Sequence, residues 1–228
     1  MLYRSRARRV MRSFRLRDRA DNRQQTHQMK IFFNSRHIKL DVKSFVTVGY
    51  QDVEFFTDVE QLRGLVDAFV ADESRPDMCI LADDLNALSK AFFSLFPIVN
   101  AAGGLIHDGD DEYLVIDRKG VPDLPKGKAE QGEGPVQTAM REVGEETGLK
   151  GVNVIDRIQE TYHTYYIKDK MVLKRTVWFS MSVPGRPKLT PEAEEGITGA
   201  RWVSRSQMKV EAEGTYKSLR DIFLSVSL

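Results

Sequence analysis

The stretch Gly127–Leu149, GKAEQGEGPVQTAMREVGEETGL, decides how this chain is read. Its second half predicts a helix that opens near Pro135, a favoured first-turn residue, and ends at Gly148. Val136, Ala139, Met140 and Val143 form the expected apolar face of that helix. Glu142, Glu145 and Glu146 stand at i, i+3 and i+4, so the same helix carries three carboxylates on one face. Three such groups repel one another unless a cation neutralises them. Oxygen-only ligands select a hard divalent ion, Mg²⁺ or Mn²⁺. That ion in turn suits the oxygens of a phosphate chain.

Outward from the helix, the sequence alternates like a sheet. IVNAAGGLIH (98–107) and EYLVIDRKG (112–120) read as strands around the turn DGDDE. VPDLPKGKAEQGEG (121–134) reads as a loop. VNVIDRIQETYHTYYI (152–167), VLKRTVWFSMSV (172–183) and TGARWVS (198–204) read as strands, with Trp202 in the core. TYKSLRDIFLSVSL (215–228) reads as a C-terminal helix.

Residues 127–149 resemble the signature that names the Nudix hydrolases: G, five residues, E, seven residues, then R-E-aliphatic-x-E-E-x-G-aliphatic. Every fixed position is present, a coincidence on the order of 10⁻⁷ from average residue usage. The likeness extends over about residues 98–228. It implies an α/β/α sandwich around a mixed sheet, and metal-dependent hydrolysis of a nucleoside diphosphate linked to another moiety. Carried onto this chain, Glu142, Glu145 and Glu146 would bind Mg²⁺ or Mn²⁺, with the Gly127 carbonyl as a further ligand. One of Glu142, Glu145 and Glu146 would act as base toward the attacking water. Glu133 would pair with Arg141, and Arg141 would orient the acidic cluster, a supporting role.

The lead-in LPKGK, Leu124 to Lys128, resembles the subgroup that cleaves dinucleoside polyphosphates. Lys126 and Lys128 would clamp non-bridging phosphate oxygens. In TYHTYY, strand alternation sets Tyr162 and Tyr166 on one face and His163 and Tyr165 on the other. With Lys168, Lys170, Lys174 and Arg175 nearby, this hairpin suits stacking on a base and contact with phosphate. His163 and Tyr165 are the expected substrate contacts. Glu192, Glu194 and Glu195 offer a late acidic loop. ADP-ribose, nucleoside triphosphates and diphosphoinositol polyphosphates are the alternative substrates; a ligand-sensing or adaptor protein without turnover is the alternative class.

The chain upstream splits in two. Residues 29–97 read as a small α/β module without a catalytic constellation. In it MKIFFNSRHIKL and SFVTVGY are strands, and Asp58 caps the helix VEQLRGLVDAFVAD. Leu62, Leu65, Val66 and Phe69 share one face of that helix. DMCILADD is a short buried strand, Asp83-Asp84 supplies an N-cap, and LNALSKAFFSLF is a second helix stopped by Pro97. Residues 1–28 hold nine arginines, no lysine and two aspartates, and read as a disordered tail or as residues upstream of a start at Met29. They carry no apolar h-region, so a secretory signal is not expected.

Composition bounds the rest. The 228 residues are 41% hydrophobic and 29% charged, which fits a globular chain. No apolar run reaches the ~18–20 residues that span a bilayer, so no membrane partner is expected. The single cysteine, Cys79, forbids an intrachain disulfide and a thiolate metal cluster and fits a reducing cytoplasm. The net charge is only +1 although the first 28 residues are strongly basic, so the remainder is acidic and nucleic acid is not an expected partner. The expected partner is a nucleotide-type small molecule; a homodimer is left open.

Overall fold

Alternating apolar residues build each strand of the computed structural model, which describes residues 28–43 and 49–226. Close Cα neighbours group the chain into two units. One contains Arg36–Leu95; the other contains Ile31–Ser35 and the chain from Phe96 onward.

β1 (Gln28–Phe33) opens the described chain, and the first unit follows it. Its strands are β2 (Arg36–Val42), β3 (Asp52–Phe55) and β4 (Met78–Ala82); its helices are α1 (Val59–Ala71) and α2 (Leu85–Ser94). The strands are parallel in the order β2-β4-β3. All five residues of central β4 are buried, as a parallel strand covered on both faces requires. Asp58 caps α1 by accepting from the Glu60 and Gln61 amides, each at 2.9 Å. Leu62, Val66 and Phe69 are buried beneath α1, while Leu65 is half-buried. Asp84 caps α2, and Asp83 pairs with Lys43 at 2.9 Å.

Two readings change here. MKIFFNSRHIKL is two strands rather than one run, because Asn34 adopts φ 55 and turns the chain. Most of SFVTVGY lies outside the described residues, and β3 begins after it.

The second unit comprises β5 (Ile98–His107), β6 (Glu112–Arg118), β7 (Val121–Asp123), β8 (Lys126–Lys128), α3 (Pro135–Thr147), β9 (Asn153–Ile167), β10 (Lys170–Ser182), β11 (Ile197–Ser204), α4 (Arg205–Gly214) and α5 (Arg220–Ser225). The sheet runs β11-β6-β5-β10-β9-β1, with β7 on β6 and β8 on β5. It is mixed: β5 with β10 and β1 with β9 are parallel, the other pairs antiparallel. Ile31–Phe33 of β1 align with Tyr162–Thr164, which joins them to this unit.

Strand alternation sorts its core into two layers. Ala102, Ile106, Leu114, Ile116, Val177 and Phe179 pack on Ala139 and Val143 of α3. Leu105, Tyr113, Val115, Trp178 and Val203 pack on Met208 and Ala212 of α4 and Ile222 and Phe223 of α5. Helices on both faces of a mixed sheet make the expected α/β/α sandwich. Trp202 is half-buried against the α3 layer and donates from Nε1 to the Pro187 carbonyl at 3.4 Å.

The presumed loop 121–134 contains β7 and β8. Glycine in β5 makes room for the second: a Cβ on Gly103 would lie 2.4 Å from the Pro125 carbonyl oxygen and 2.5 Å from the Lys126 Cβ. Helix α4 was not expected. The C-terminal helix is shorter than TYKSLRDIFLSVSL, spanning Arg220–Ser225. Among the described residues no helix is long and apolar enough to cross a membrane.

Candidate active site

Helix α3 is fixed at both ends by local chemistry. Pro135 occupies its first turn, and Gln137 Oε1 accepts from the Gly134 amide at 2.8 Å. Gly148 closes it at φ 73, a left-handed conformation that glycine adopts without a Cβ penalty. The buried stripe is Thr138, Ala139, Glu142, Val143, Glu146 and Thr147. Val136 and Met140, expected inside, are 43% and 47% exposed. The helix is rolled so that two of its glutamates share the inner side with Ala139 and Val143.

Glu146 is fully buried, 0% exposed. Its Oε2 accepts from the Lys126 amide at 2.8 Å, and its Oε1 lies 3.2 Å from Arg118 Nη1. Burial pushes its carboxyl up to about 7, against the pull of Lys126 and Arg118. Glu142 is also raised by burial, opposed by Arg141. It stands against Gly127, where a Cβ would meet the Glu142 carboxylate at 2.0–2.2 Å. The missing side chain of the signature glycine is therefore the space that the first glutamate of the α3 row occupies. Glu145 is 50% exposed.

Arg141 ties these groups together. Its Nε and Nη2 grip Glu133 at 2.7 and 2.9 Å, and Nη2 also donates to the Lys128 carbonyl at 2.8 Å. Its Nη1 stands between Glu142 Oε1 at 2.9 Å and Glu145 Oε2 at 2.7 Å. Glu133 also accepts from the Glu130 amide and the Thr138 hydroxyl, each at 3.0 Å. The Arg141 bonds foremost, then these, hold the Glu133 carboxyl down to about 2. Guanidinium nitrogens thus neutralise all three helix carboxylates, and among the described residues no three acidic, His or Cys side chains converge on a metal-sized point. The donor set is nevertheless all carboxylate oxygen, the chemistry of a hard divalent cation, with the Gly127–Glu142 approach cleared of side-chain bulk.

The late acidic segment reaches this site through Glu195, whose Oε2 lies 2.5 Å from Arg118 Nη2. Glu192 joins by its amide, which donates to the Glu146 carbonyl at 3.3 Å. Glu194 is exposed.

The two lysines of LPKGK part company. Lys126 is buried and pairs with Asp123 at 2.6 Å, whereas Lys128 is exposed and contributes its carbonyl to Arg141. His163 and Tyr165 share one face of β9 with ring centroids 5.8 Å apart, and among the described residues the buried Tyr165 hydroxyl has no hydrogen-bond partner. Tyr162 is buried on the opposite side, where its hydroxyl and Arg175 engage Glu160. Burial and then the nearby Lys174 and Lys126 push the His163 imidazole down to about 4. Arg118 and Asp123 join the site although the sequence reading assigned neither a role in it, and Lys174, one of the hairpin cations it named, stands near them. The three come from different strands, β6, β7 and β10; for Asp123 the i, i+3 spacing to Lys126 is a local hint.

Residues 97–223 match the family model of the NUDIX domain. The putative mutator protein MutT4 of Mycobacterium tuberculosis (strain CDC 1551 / Oshkosh) is 38% identical over 30% of this chain and 37% of that protein, so the matched part spans little more than a third of that relative. Among solved structures, a C. elegans Ap4A hydrolase binary complex aligns with TM-score 0.46 and 19% identity, covering 57% of this chain and 95% of that one. A MutT protein from Methanosarcina mazei Go1 aligns with TM-score 0.45 and 21% identity over 57% and 94%. The E. coli dihydroneopterin triphosphate pyrophosphohydrolase aligns with TM-score 0.47 and 19% identity over 55% and 92%. With more than half of its residues inside the domain match, and every fixed position of the signature in place, the chain belongs to the Nudix hydrolase family.

Proposed function

We propose that this protein hydrolyses a phosphoanhydride bond in a nucleoside diphosphate linked to another moiety, with a dinucleoside polyphosphate as preferred substrate and Mg²⁺ or Mn²⁺ as cofactor. The observation that carries this reading is the carboxylate row of α3, with Glu142 against Gly127, Glu146 buried behind it and Glu145 on the open side. Glu142, Glu145, Glu146 and the Gly127 carbonyl would hold the cation. When bound, it supplies charge neutralisation at phosphate oxygens and a more acidic water.

The chain's own residues do the rest. Arg141 sets the directions of Glu142 and Glu145, and Glu133 keeps Arg141 in place. Glu142 or Glu145 accepts the proton of the attacking water. Lys126, Lys128, His163 and Tyr165 receive the nucleotide and its phosphates. The likeness of LPKGK to the dinucleoside polyphosphate subgroup supports the substrate class, as does the clustering of Lys126 and Arg118 beside the carboxylates. A nucleotide-type small molecule is the partner in this reading. The lone buried Cys79 suits a cytoplasmic setting.

The test is hydrolysis by the full chain with Mg²⁺, across diadenosine polyphosphates, ADP-ribose, nucleoside triphosphates and diphosphoinositol polyphosphates, with products separated by ion exchange. The reading predicts the highest kcat/KM on a diadenosine polyphosphate. Turnover of none of them by folded protein that still binds nucleotide would replace it with a sensing role.

A further inference from the structure

The corner between β7 and β8 is poor in backbone donors. Residues 121–128 read VPDLPKGK, and neither Pro122 nor Pro125 carries an amide hydrogen. The chain changes strand partner here. β7 pairs with β6, with Asp123 opposite Ile116, and β8 pairs with β5, with Lys126 opposite Gly103. Three contacts fasten the step. Leu124 is fully buried in the layer of α4 and α5. The Pro125 carbonyl accepts from the Gly104 amide at 3.0 Å. The Thr215 hydroxyl donates to the Pro122 carbonyl at 2.7 Å.

Asp123 supplies a fourth, and it is the one made of charge. Its side chain is buried, 1% exposed. Oδ1 accepts from the Leu124 amide at 2.7 Å, and Oδ2 accepts from the Lys126 ammonium at 2.6 Å. One carboxylate thus spans the corner, from the end of β7 to the first residue of β8. Both charges are buried, so loss of either strands the other. The consequence appears on the far side of the strand. The Lys126 amide donates to Glu146 Oε2 at 2.8 Å. The next residue, Gly127, leaves the room that the Glu142 carboxylate fills. The placement of β8 therefore sets two of the three carboxylates of α3 together.

We infer that Asp123 is a positioning residue of the active site: by holding Lys126 it fixes the start of β8, and through the Lys126 amide and Gly127 it fixes Glu146 and Glu142. It acts through these neighbours rather than on the reacting atoms. The inference rests on the hydrolase reading for what the two glutamates do. An aspartate that only neutralised a buried lysine would matter to overall stability; one that aims Glu146 also matters to the local order of position 126 and to turnover.

The experiment is site-resolved amide hydrogen exchange of the full chain in EDTA, read by NMR, for the wild type and Asp123→Asn. Asparagine keeps the shape and an oxygen for the Leu124 amide, and loses the charge that holds the ammonium. The amide at position 126 should exchange about tenfold faster in the variant, relative to that of Val177, which is buried at the centre of β10 between β5 and β9. Acceleration at 126 no greater than at Val177 overturns the inference. Should Asp123→Asn fail to fold, the double variant Asp123→Asn, Lys126→Met removes both buried charges and is measured in the same way. Position 126 should lose its protection there too; protection equal to the wild type's overturns the inference. Steady-state kinetics give the second readout. Asp123→Asn should lower kcat about 10–100-fold with a much smaller change in KM. Unchanged kinetics, or a change in KM alone, overturns it. The two proposals fail separately: a wild type that hydrolyses none of the substrates sinks the hydrolase reading while amide exchange still decides what Asp123 holds. Turnover without a selective loss of protection at 126 does the reverse.

Discussion

Arg141 and Glu133 are joined by two parallel hydrogen bonds, Nε to Oε1 at 2.7 Å and Nη2 to Oε2 at 2.9 Å. The fork fastens the middle of α3 to the loop before it, eight residues upstream. It leaves Nη1 free to bridge Glu142 and Glu145. A planar guanidinium makes all these contacts at once; an ammonium does not. Arg141→Lys and Glu133→Gln should therefore keep the fold and lower kcat/KM about 10–100-fold, the usual cost of losing a group that orients metal ligands. Steady-state kinetics beside a melting curve check this: an unfolded variant, or full activity in either, contradicts the assigned role.

Gly127 has no spare room. A methyl group there would fall 2.0–2.2 Å from the Glu142 carboxylate, so that side chain must move. Gly127→Ala should leave a folded protein whose activity falls on the order of 10²-fold, the scale of an ångström's misplacement of a reacting group. Mg²⁺ titration calorimetry should show weaker binding in the same variant. Wild-type activity would mean that Glu142 is not held where the chemistry needs it.

Glu146 makes the metal-free protein sensitive to pH. Its carboxyl is raised from 4.5 to about 7, so folding favours the protonated form. The stability it contributes is fully present below pH 4.5 and is lost as pH rises through 7. His163, pushed down from 6.5 to about 4, slopes the other way: its contribution is present above pH 6.5 and is lost as pH falls toward 4. The clean reading is therefore the difference between wild type and Glu146→Gln in EDTA. The two should melt alike near pH 4, and the variant should melt higher at pH 8 although it is inactive. A gap that does not grow with pH would show that Glu146 is not buried as a near-neutral acid.

Local patterns in the sequence carry a good part of this molecule. The signature fixes α3, its caps and its carboxylates, because each of those features depends on neighbours within one or two helical turns. The Asp58 and Asp84 caps are legible for the same reason. What escaped depends on distant partners. Val136 and Met140 look apolar and inward, yet the roll of α3 is set by Glu146 reaching the Lys126 amide and Arg118. β8 hides in a glycine- and proline-rich run because its pairing is made possible by Gly103, more than twenty residues upstream. Arg118 and Asp123 lie on separate strands and meet only in the folded sheet. Helix α4 did leave a trace: Ser204 and Gln207 form a capping box, with the Ser204 amide donating to Gln207 Oε1 at 2.8 Å.

Glu145 offers the most direct test of the central claim. It is 50% exposed, and its recorded polar contact is with Arg141 Nη1 at 2.7 Å, so replacing it with glutamine removes a charge without opening the core. The measurement is hydrolysis of diadenosine tetraphosphate by the full chain and by Glu145→Gln, each with Mg²⁺ and with EDTA. The account predicts turnover by the wild type with Mg²⁺, none in EDTA, and a loss of at least 10²-fold in a variant with an unchanged melting temperature. Undiminished turnover in EDTA or in Glu145→Gln would contradict it, and would take the chemistry away from the carboxylate face of α3.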